Sequence, residues 1–480
     1  MAYRKKTKIV CTMGPATEDE EVLRQLILHG MNVARFNFSH GSHLYHQAMI
    51  EKVRAISEEL RIPVAILLDT KGPEIRTGTL VGGEKVELVA GSTCTITSEP
   101  VEGTAERFSM DYAKLPQEVE VGSSILIDDG LIGCEVLGVE GTEIRCKVVN
   151  GGLLGEHKGI NVPNVDVSLP SVTAQDRADI MFGCELGIDA IAASFIRDAD
   201  AVHEIRRICV EMGAPGVQIF SKIESAMGLK NFDEILQASD GIMVARGDLG
   251  VEIPAAQLPH VQKTIIEKCN ENYKPVITAT QMLDSMQKNP RPTRAEVTDV
   301  ANAIYDGTDC VMLSGETAAG KYPIEAVATM SEICKETERY LPQRHRYVDR
   351  GGVKNINGAT GYAAVDMATR TNATCIIAPS HSGRSARLIS TFRPKIPVYA
   401  TSPSLETIRR TCFYWGVYAF RTVEQGGLAN TIYNALSTVR DCGGCRAGDI
   451  VVVTAGDPQT SPRQGDYTTS TNVAMVAQVQ

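Results

Sequence analysis

No stretch of this 480-residue chain approaches the roughly 20 consecutive apolar residues of a membrane span, so no membrane segment is expected. No secretory leader is expected either: the basic start MAYRKK is followed only by the short apolar run KIVCTM. An excess of positive charge is absent, and a formal net charge of -10 leaves no electrostatic footprint for nucleic acid or an anionic membrane surface. A disulfide framework is missing too. Thirteen cysteines, an odd number scattered over a long chain, point to a reducing, cytoplasmic setting. Cys442 and Cys445 have CxxC spacing, but no second pair completes a zinc site, and the two read as incidental.

What is present is an ordinary globular composition, 43% hydrophobic and 22% charged, over a length that suggests two to four domains. The first 70 residues alternate strand-like and helix-like patterns: KIVCTMG, DEEVLRQLILHG, NVARFNF, a helix through Met49, Val53, Ile56 and Leu60, then PVAILLDT. The rhythm then stops for about a hundred residues of short alternating runs such as EIRCKVV, separated by turn signals, a stretch too long for a loop. It resumes with IDAIAASF, VQIFSKIE, DGIMVARGD, KPVITATQM and TDCVMLSGE. Three strands before the insert and five after it predict an α/β fold, a (β/α)8 TIM barrel interrupted after its third strand by an all-β lid domain. The expected boundaries are 1–72 and 172–341 for the barrel, 73–171 for the lid and 342–480 for a C-terminal α/β domain, with PQRHRYVDRGG (342–352) as linker.

Polar residues gather where barrel strands end: Arg35, Asn37 and Ser39; Asp69 and Thr70; Lys222 and Glu224; Arg246 and Asp248; Thr280; Ser314 and Glu316. C-terminal strand ends form the catalytic face of such barrels. Lys222 and Glu224, two apart on one strand, share a face and are either a structural ion pair or part of a site. Asp248 adds a second carboxylate one strand on, and such a pair suits a hard divalent cation, Mg2+ or Mn2+, that also takes substrate oxygens. A lysine beside that cation places positive charge where an oxyanion develops. Asn37, Ser39, Asp69 and Thr70 form an oxygen cluster open to two readings, a monovalent-cation site or a plain hydrogen-bond network. Arg35 and Arg76 are candidate forks for phosphate or carboxylate. The stretch GETAAGKY (315–322) has P-loop spacing, but Tyr322 stands where a Ser or Thr must hold Mg2+, which argues against a P-loop. His40, His43 and His46 lack an acidic partner at metal-site spacing and read as solvated or packed. In the third domain CIIAPSHSGRSARLIS is a strand, a Ser/Gly-rich turn and a helix start, either a phosphate cradle or an ordinary capped helix.

The stretches MNVARFNFSHG, LLDTKGPEIRTG, FSKIESAMGL, MVARGDLGVEIP, ITATQML, RPTRAEVTDVANAIYDGTDCVMLSGETA and SHSGRS closely resemble the pyruvate kinase family, over essentially the whole chain. The resemblance implies phosphoryl transfer from phosphoenolpyruvate to ADP giving pyruvate and ATP, the last step of glycolysis, by a homotetramer. It implies Glu224 and Asp248 as Mg2+ ligands, and Lys222 and Arg35 on the transferring phosphoryl group. Gly247, Asp248 and Thr280 match the substrate-carboxylate site, with Thr280 near the proton delivered to the enolate carbon. Asn37, Ser39, Asp69 and Thr70 match a K+ site, and Glu74 the carboxylate that accompanies K+ dependence. Asn37, Phe38, Ser39, His40, Arg76 and the lid residue Lys158 match nucleotide contacts. Ser380, Ser382, Gly383, Arg384 and Ser385 match a loop for a phosphorylated effector, a sugar phosphate or a nucleotide monophosphate, with Arg463 as an added contact.

Two positions depart from the pattern. Ala319 replaces a lysine found after SGETA in many relatives, and the loop GDPQTSPRQGDY carries no tryptophan, so the effector's identity stays open. Two other readings remain: a metal-dependent aldolase or lyase that forms a pyruvate enolate, and a non-catalytic phosphate-sensing homologue.

Overall fold

The computed structural model describes residues 5–165, 167–341, 356–423, 426–456 and 471–480. The proposed linker 342–352 and Arg463 lie outside the described residues. Strands β1 (Lys8–Thr12), β2 (Met31–Asn37) and β3 (Ala65–Asp69) come first. The insert follows: β4 (Ile75–Arg76), β5 (Val86–Leu88), β6 (Thr93–Thr97), β7 (Arg107–Ser109), β8 (Ser124–Ile127), β9 (Ile132–Glu140), β10 (Glu143–Asn150), β11 (Gly152–Leu154) and β12 (Gly159–Asn161). Then come β13 (Ala190–Ala193), β14 (Gln218–Ile223), β15 (Gly241–Ala245), β16 (Val276–Ala279) and β17 (Cys310–Leu313). These five close a parallel barrel with the first three, in the order β1-β17-β16-β15-β14-β13-β3-β2.

Barrel strands are buried on both faces, so they read as continuous apolar runs, AILLD in β3 and GIMVA in β15. Successive residues serve different layers. Ile9 and Cys11 face the helices, whereas Val10 joins Val33, Leu67, Phe220, Met243 and Met312 in the interior. Small residues there, Ala65, Ala190, Ala192 and Ala279, leave room for Phe220 and Met243. This interior core runs out of the barrel's N-terminal end into the C-terminal domain, where Phe220 meets Phe413 with ring centroids 4.7 Å apart.

The insert leaves and re-enters at the opposite, C-terminal rim. It forms a seven-stranded sheet, β4-β12-β8-β9-β10-β6-β7, and a β11-β5 ribbon over its own core. Its exit is fixed at Gly72, in the left-handed region at φ 74, whose amide donates to Asp176 at 3.0 Å; Asp176 also completes a capping box with Thr173. Its return is gripped by Arg197, which donates to the Val167 and Leu169 carbonyls. Asn161 Nδ2 donates to Glu252 Oε1 at 3.1 Å, joining the insert to the barrel across the rim.

The C-terminal sheet has the order β20-β19-β18-β21-β22, from β18 (Cys375–Pro379), β19 (Val398–Ser402), β20 (Val417–Arg421), β21 (Ile450–Ala455) and β22 (Val473–Gln478). The antiparallel edge strand β22 is a fifth strand beyond the four that the runs CIIAPS, PVYATS, VYAFRT and DIVVVTAG suggest. This domain caps the barrel's N-terminal end through buried charges. Arg393 pairs with Asp309 at 2.7 Å, Lys8 Nζ donates to the Val417 carbonyl at 2.5 Å, and Gln218 Nε2 donates to Tyr414 OH at 2.9 Å.

Candidate active site

At the C-terminal rim, β3 and β14 supply Asp69, Lys222 and, one residue past the strand, Glu224. The ammonium of Lys222 donates to Glu224 Oε1 at 2.9 Å, Asp69 Oδ1 at 3.1 Å and Ser194 Oγ at 2.8 Å. Arg35, at the end of β2, donates from Nε to Asp69 Oδ2 at 2.6 Å and from Nη1 to Thr12 Oγ1 at 2.9 Å. Asp69 is therefore gripped by two cations, one on each oxygen. Burial alone would raise its pKa, but Arg35 and Lys222 outweigh burial and hold the carboxyl below its ordinary range. Burial would likewise strip the proton from Lys222, yet Asp69 and Glu224 reverse that and raise its pKa, so the ammonium persists. Glu224 differs: burial, reinforced by Asp248, pushes it up to about 7 against the pull of Lys222 and of the Phe195 amide, which donates to Oε2 at 2.6 Å.

On the next two strands, helix Arg246–Glu252 starts directly from β15, and Thr280 follows β16. The Gly247 amide donates to Thr280 Oγ1 at 2.8 Å, and that hydroxyl donates to the Ala279 carbonyl at 2.7 Å. Thr280 and Gln281 hold left-handed backbone, φ 67 and 52, uncommon for residues with a side chain. Arg246 supports the bend from beneath, donating to the Ala279 and Thr280 carbonyls at 3.1 and 2.6 Å and pairing with Asp299 at 2.8 Å. It is a staple rather than a ligand-facing group. Glu316 behaves alike: it is buried and accepts from the Leu283 and Ser314 amides at 3.0 and 2.7 Å. Asp248 is half-buried and makes no ion pair with the described residues.

Between rim and insert lies a cavity of about 770 Å³, lined among others by His40, Arg76, Lys158, Phe195, Asp248 and Glu252. Arg76 donates to Glu74 Oε2 at 2.6 Å and to the His157 carbonyl at 2.8 Å, and Lys158 pairs with Asp128 at 2.8 Å. Asn37 Oδ1 accepts from the Ser39 amide at 3.2 Å, beside Asp69 and Thr70. Phe38 is buried and stacks on His46, ring centroids 4.1 Å apart, so any contact it offers a ligand comes from its backbone. His43 stacks on Phe182 and bonds Asp179 at 2.6 Å, and His46 bonds the His40 carbonyl at 2.8 Å. These two histidines are packing elements. GETAAGKY follows β17 as the short helix Gly315–Ala318, closed by the Gly320 amide on the Gly315 carbonyl at 2.8 Å. Ala319 is exposed.

The phosphate-loop candidates lie at the far end of the molecule. Ser380 Oγ accepts from the Gly383 amide at 2.9 Å, and Gly383, left-handed at φ 79, opens the helix Arg384–Thr391. Ser382 and Arg384 are exposed, and the Ser385 hydroxyl shares a hydrogen bond with Thr471.

Ser194 and Phe195 were not among the residues expected at this site, although both touch its central side chains. Their one visible signal was a polar residue ending the run IDAIAASF. A serine at a strand end is too common to single out without its neighbours.

The family model described as pyruvate kinase, barrel domain, matches residues 4–327, and the one described as pyruvate kinase, alpha/beta domain, matches 358–477. The chain is 48% identical over 456 residues to a pyruvate kinase of Clostridium acetobutylicum, covering 94% of this chain and 96% of that one. It is 49% identical over 459 residues to a pyruvate kinase of Geobacillus stearothermophilus, covering 95% of this chain and 78% of that one. The crystal structure of a pyruvate kinase from Cryptosporidium parvum superposes with a TM-score of 0.93 at 40% identity, covering 99% of this chain and 96% of that one.

Proposed function

The chain belongs to the pyruvate kinase family of phosphotransferases, and we propose that it moves the phosphoryl group of phosphoenolpyruvate to ADP at the Lys222 rim, giving pyruvate and ATP. The observation that carries the residue assignment is the junction of Lys222 with Asp69 and Glu224 beside a cavity that the insert roofs. Phosphoryl transfer asks little covalent chemistry of a protein; it needs position and opposing charge. Lys222 supplies a buried, persistent ammonium for the charge on the moving group and on the enolate oxygen left behind. Arg35 makes no hydrogen bond from its second terminal nitrogen to the described residues, while the other two nitrogens hold it against Asp69 and Thr12. That nitrogen is its share of phosphoryl binding. Gly247, Asp248 and Thr280 cradle the substrate carboxylate end, and Thr280, its hydroxyl already held on both sides, orients the water that protonates the enolate carbon.

Glu224 and Asp248 fit a divalent cation: a carboxylate that burial and then Asp248 raise despite Lys222, and a second one without an ion pair among the described residues, are hard oxygen donors. Mg2+ or Mn2+ bound there supplies Lewis-acid polarisation of the substrate's oxygens. Asn37, Ser39, Asp69 and Thr70 offer oxygen alone, and Asp69 is already largely neutralised by Arg35 and Lys222, which suits a singly charged K+ rather than a second divalent ion. Glu74, paired with Arg76 at 2.6 Å, is taken as the carboxylate that accompanies K+ dependence. Asn37, Phe38 through its backbone, Ser39, His40, Arg76 and Lys158 take the nucleotide; of these His40, Arg76 and Lys158 line the cavity, and the last two come from the insert, which thereby acts as a lid. The same proposal places the domain boundaries at 1–72 with 172–341, 73–171 and 342–480, and takes the protein as a cytoplasmic homotetramer in the last step of glycolysis. It also takes Ser380, Ser382, Gly383, Arg384 and Ser385 as the seat of a phosphorylated effector, supported by the left-handed turn that opens the helix there.

The test is a coupled assay with phosphoenolpyruvate and ADP. Pyruvate and ATP are expected with Mg2+ and K+ present, with lower rates when K+ is withdrawn. No product with both ions present overturns the activity; equal rates without K+ overturn the K+ site alone. A panel of sugar phosphates and nucleotide monophosphates should shift half-saturation by phosphoenolpyruvate, and a panel with no effect removes the effector site.

A further inference from the structure

We propose that Ser194 and Phe195, the corner at the end of β13, form a positioning element for phosphoryl transfer, the Ser194 hydroxyl aiming Lys222 and the Phe195 amide holding Glu224. The inference rests on the roles given to Lys222 and Glu224 above.

An ammonium has three protons. Those of Lys222 are directed to acceptors on three different segments: Asp69 at 3.1 Å, Glu224 at 2.9 Å and Ser194 at 2.8 Å. Two of these acceptors are carboxylates, which cancel charge as they orient it. Ser194 is the neutral one, so it fixes direction while leaving the ammonium's charge for the substrate. Its own orientation is set. Its hydroxyl donates to the Thr70 carbonyl at 2.6 Å and its amide to Thr70 Oγ1 at 3.0 Å, so the oxygen's lone pairs face Lys222.

Phe195 completes the corner. Its backbone is left-handed, φ 52, an unfavourable state for an aromatic residue, and in that state its amide reaches Glu224 Oε2 at 2.6 Å. One dipeptide thus grips the lysine with its first residue and the carboxylate with its second. It is braced from behind by the lid's exit hinge: a Cβ added to Gly72 would lie 2.8 Å from both Ser194 Cβ and Phe195 Cδ2. A side chain at residue 72 could not be placed without moving the corner.

The experiment is a double-mutant cycle on the full chain, comparing Ser194→Ala, Lys222→Met and the combination, with Ser194→Thr as the conservative rescue. Ser194→Ala is expected to lower kcat about 10- to 100-fold, as for a reacting group displaced by about an ångström, with the KM for phosphoenolpyruvate within about 3-fold. Ser194→Thr should recover most of that loss. In the Lys222→Met background Ser194→Ala should cost nothing further, because the serine acts through the lysine. If Ser194→Ala does not fold, Ser194→Cys, which fills the site with a poorer acceptor, takes its place in the cycle. Unchanged kcat in the folded Ser194 variant, or equal losses in both lysine backgrounds, overturns the inference while leaving Lys222 in place. Near-normal kcat in Lys222→Met instead overturns the lysine's role, a separate result.

Discussion

Two lysines buried at opposite ends of one barrel have moved in opposite directions. Lys222 at the C-terminal rim has two carboxylates within 3.1 Å, and its pKa is raised. Lys8 at the N-terminal end donates to the Val417 carbonyl and lies over the Tyr418 ring, 4.9 Å from its centroid; burial lowers it to about 8, with Lys5 adding to the shift. Burial is shared, so the partner decides. A carbonyl and a ring satisfy an ammonium's geometry without compensating its charge; carboxylates offset the cost of burial, so the lysine keeps its proton. The rest of each end follows suit. Below, Arg393 and Asp309 are buried together, with Arg393 also donating to Asn270 and the Gly307 carbonyl at 3.0 and 2.6 Å. That network holds two domains together. Above, Asp248 is left without an ion pair among the described residues, a negative charge that the proposed divalent cation would balance.

The sharpest way to break this comparison is to remove each charge and read both activity and stability. Lys222→Met should cost about 10³-fold or more in kcat, with a smaller fall in the denaturation midpoint, since Glu224 loses its ammonium partner while Asp69 keeps Arg35. Near-normal turnover in that variant would erase the distinction between the two ends. Arg393→Ala should do the reverse: it strands Asp309 and should lower stability by about 3–5 kcal/mol in urea unfolding, with kcat of the folded enzyme within about 3-fold. A large loss of kcat at unchanged stability would mean that the lower network also serves the reaction.

The smallest expected effect concerns Lys8 and pH. Its folded pKa lies below the ordinary lysine value of 10.5, so between about pH 8 and 10.5 the unfolded chain binds more protons than the folded one, and stability rises with pH. The contribution is fully present above about 10.5 and is lost as pH falls through about 8. Lys6, also lowered to about 8 by burial, adds to the slope in the same direction. Lys8→Met should flatten the rise by at most about 1 kcal/mol per pH unit, measured from urea midpoints between pH 7 and 10, with little change in activity. An unaltered slope would show that Lys8 keeps its proton throughout.

The barrel was legible because parallel strands buried on both faces must be written as apolar runs, and their polar ends then stand out against them. The same logic singled out Lys222, Glu224 and Asp248 as site candidates. It also overcounted: Arg246 and Glu316 end strands as those residues do, yet both turn back onto backbone groups of adjacent loops, a choice that depends on where the loops return. It undercounted Ser194 and Phe195, since a hydroxyl and an amide carry no charge to notice. β22 escaped because VAMVAQ is an edge strand that lies largely outside the buried layers and carries only a weak alternation.

The sequence alone determined the order and period of the elements, the interruption after the third strand and the chemical types available at the rim, because each is written in local apolar spacing and turn residues. Which of those groups meet was decided by the closure of the barrel. Asp69 and Lys222 are 153 positions apart in the chain and meet at 3.1 Å only because β13 bridges their strands. Whether a buried lysine keeps its charge depends on that partner, and the partner is a property of the folded ring.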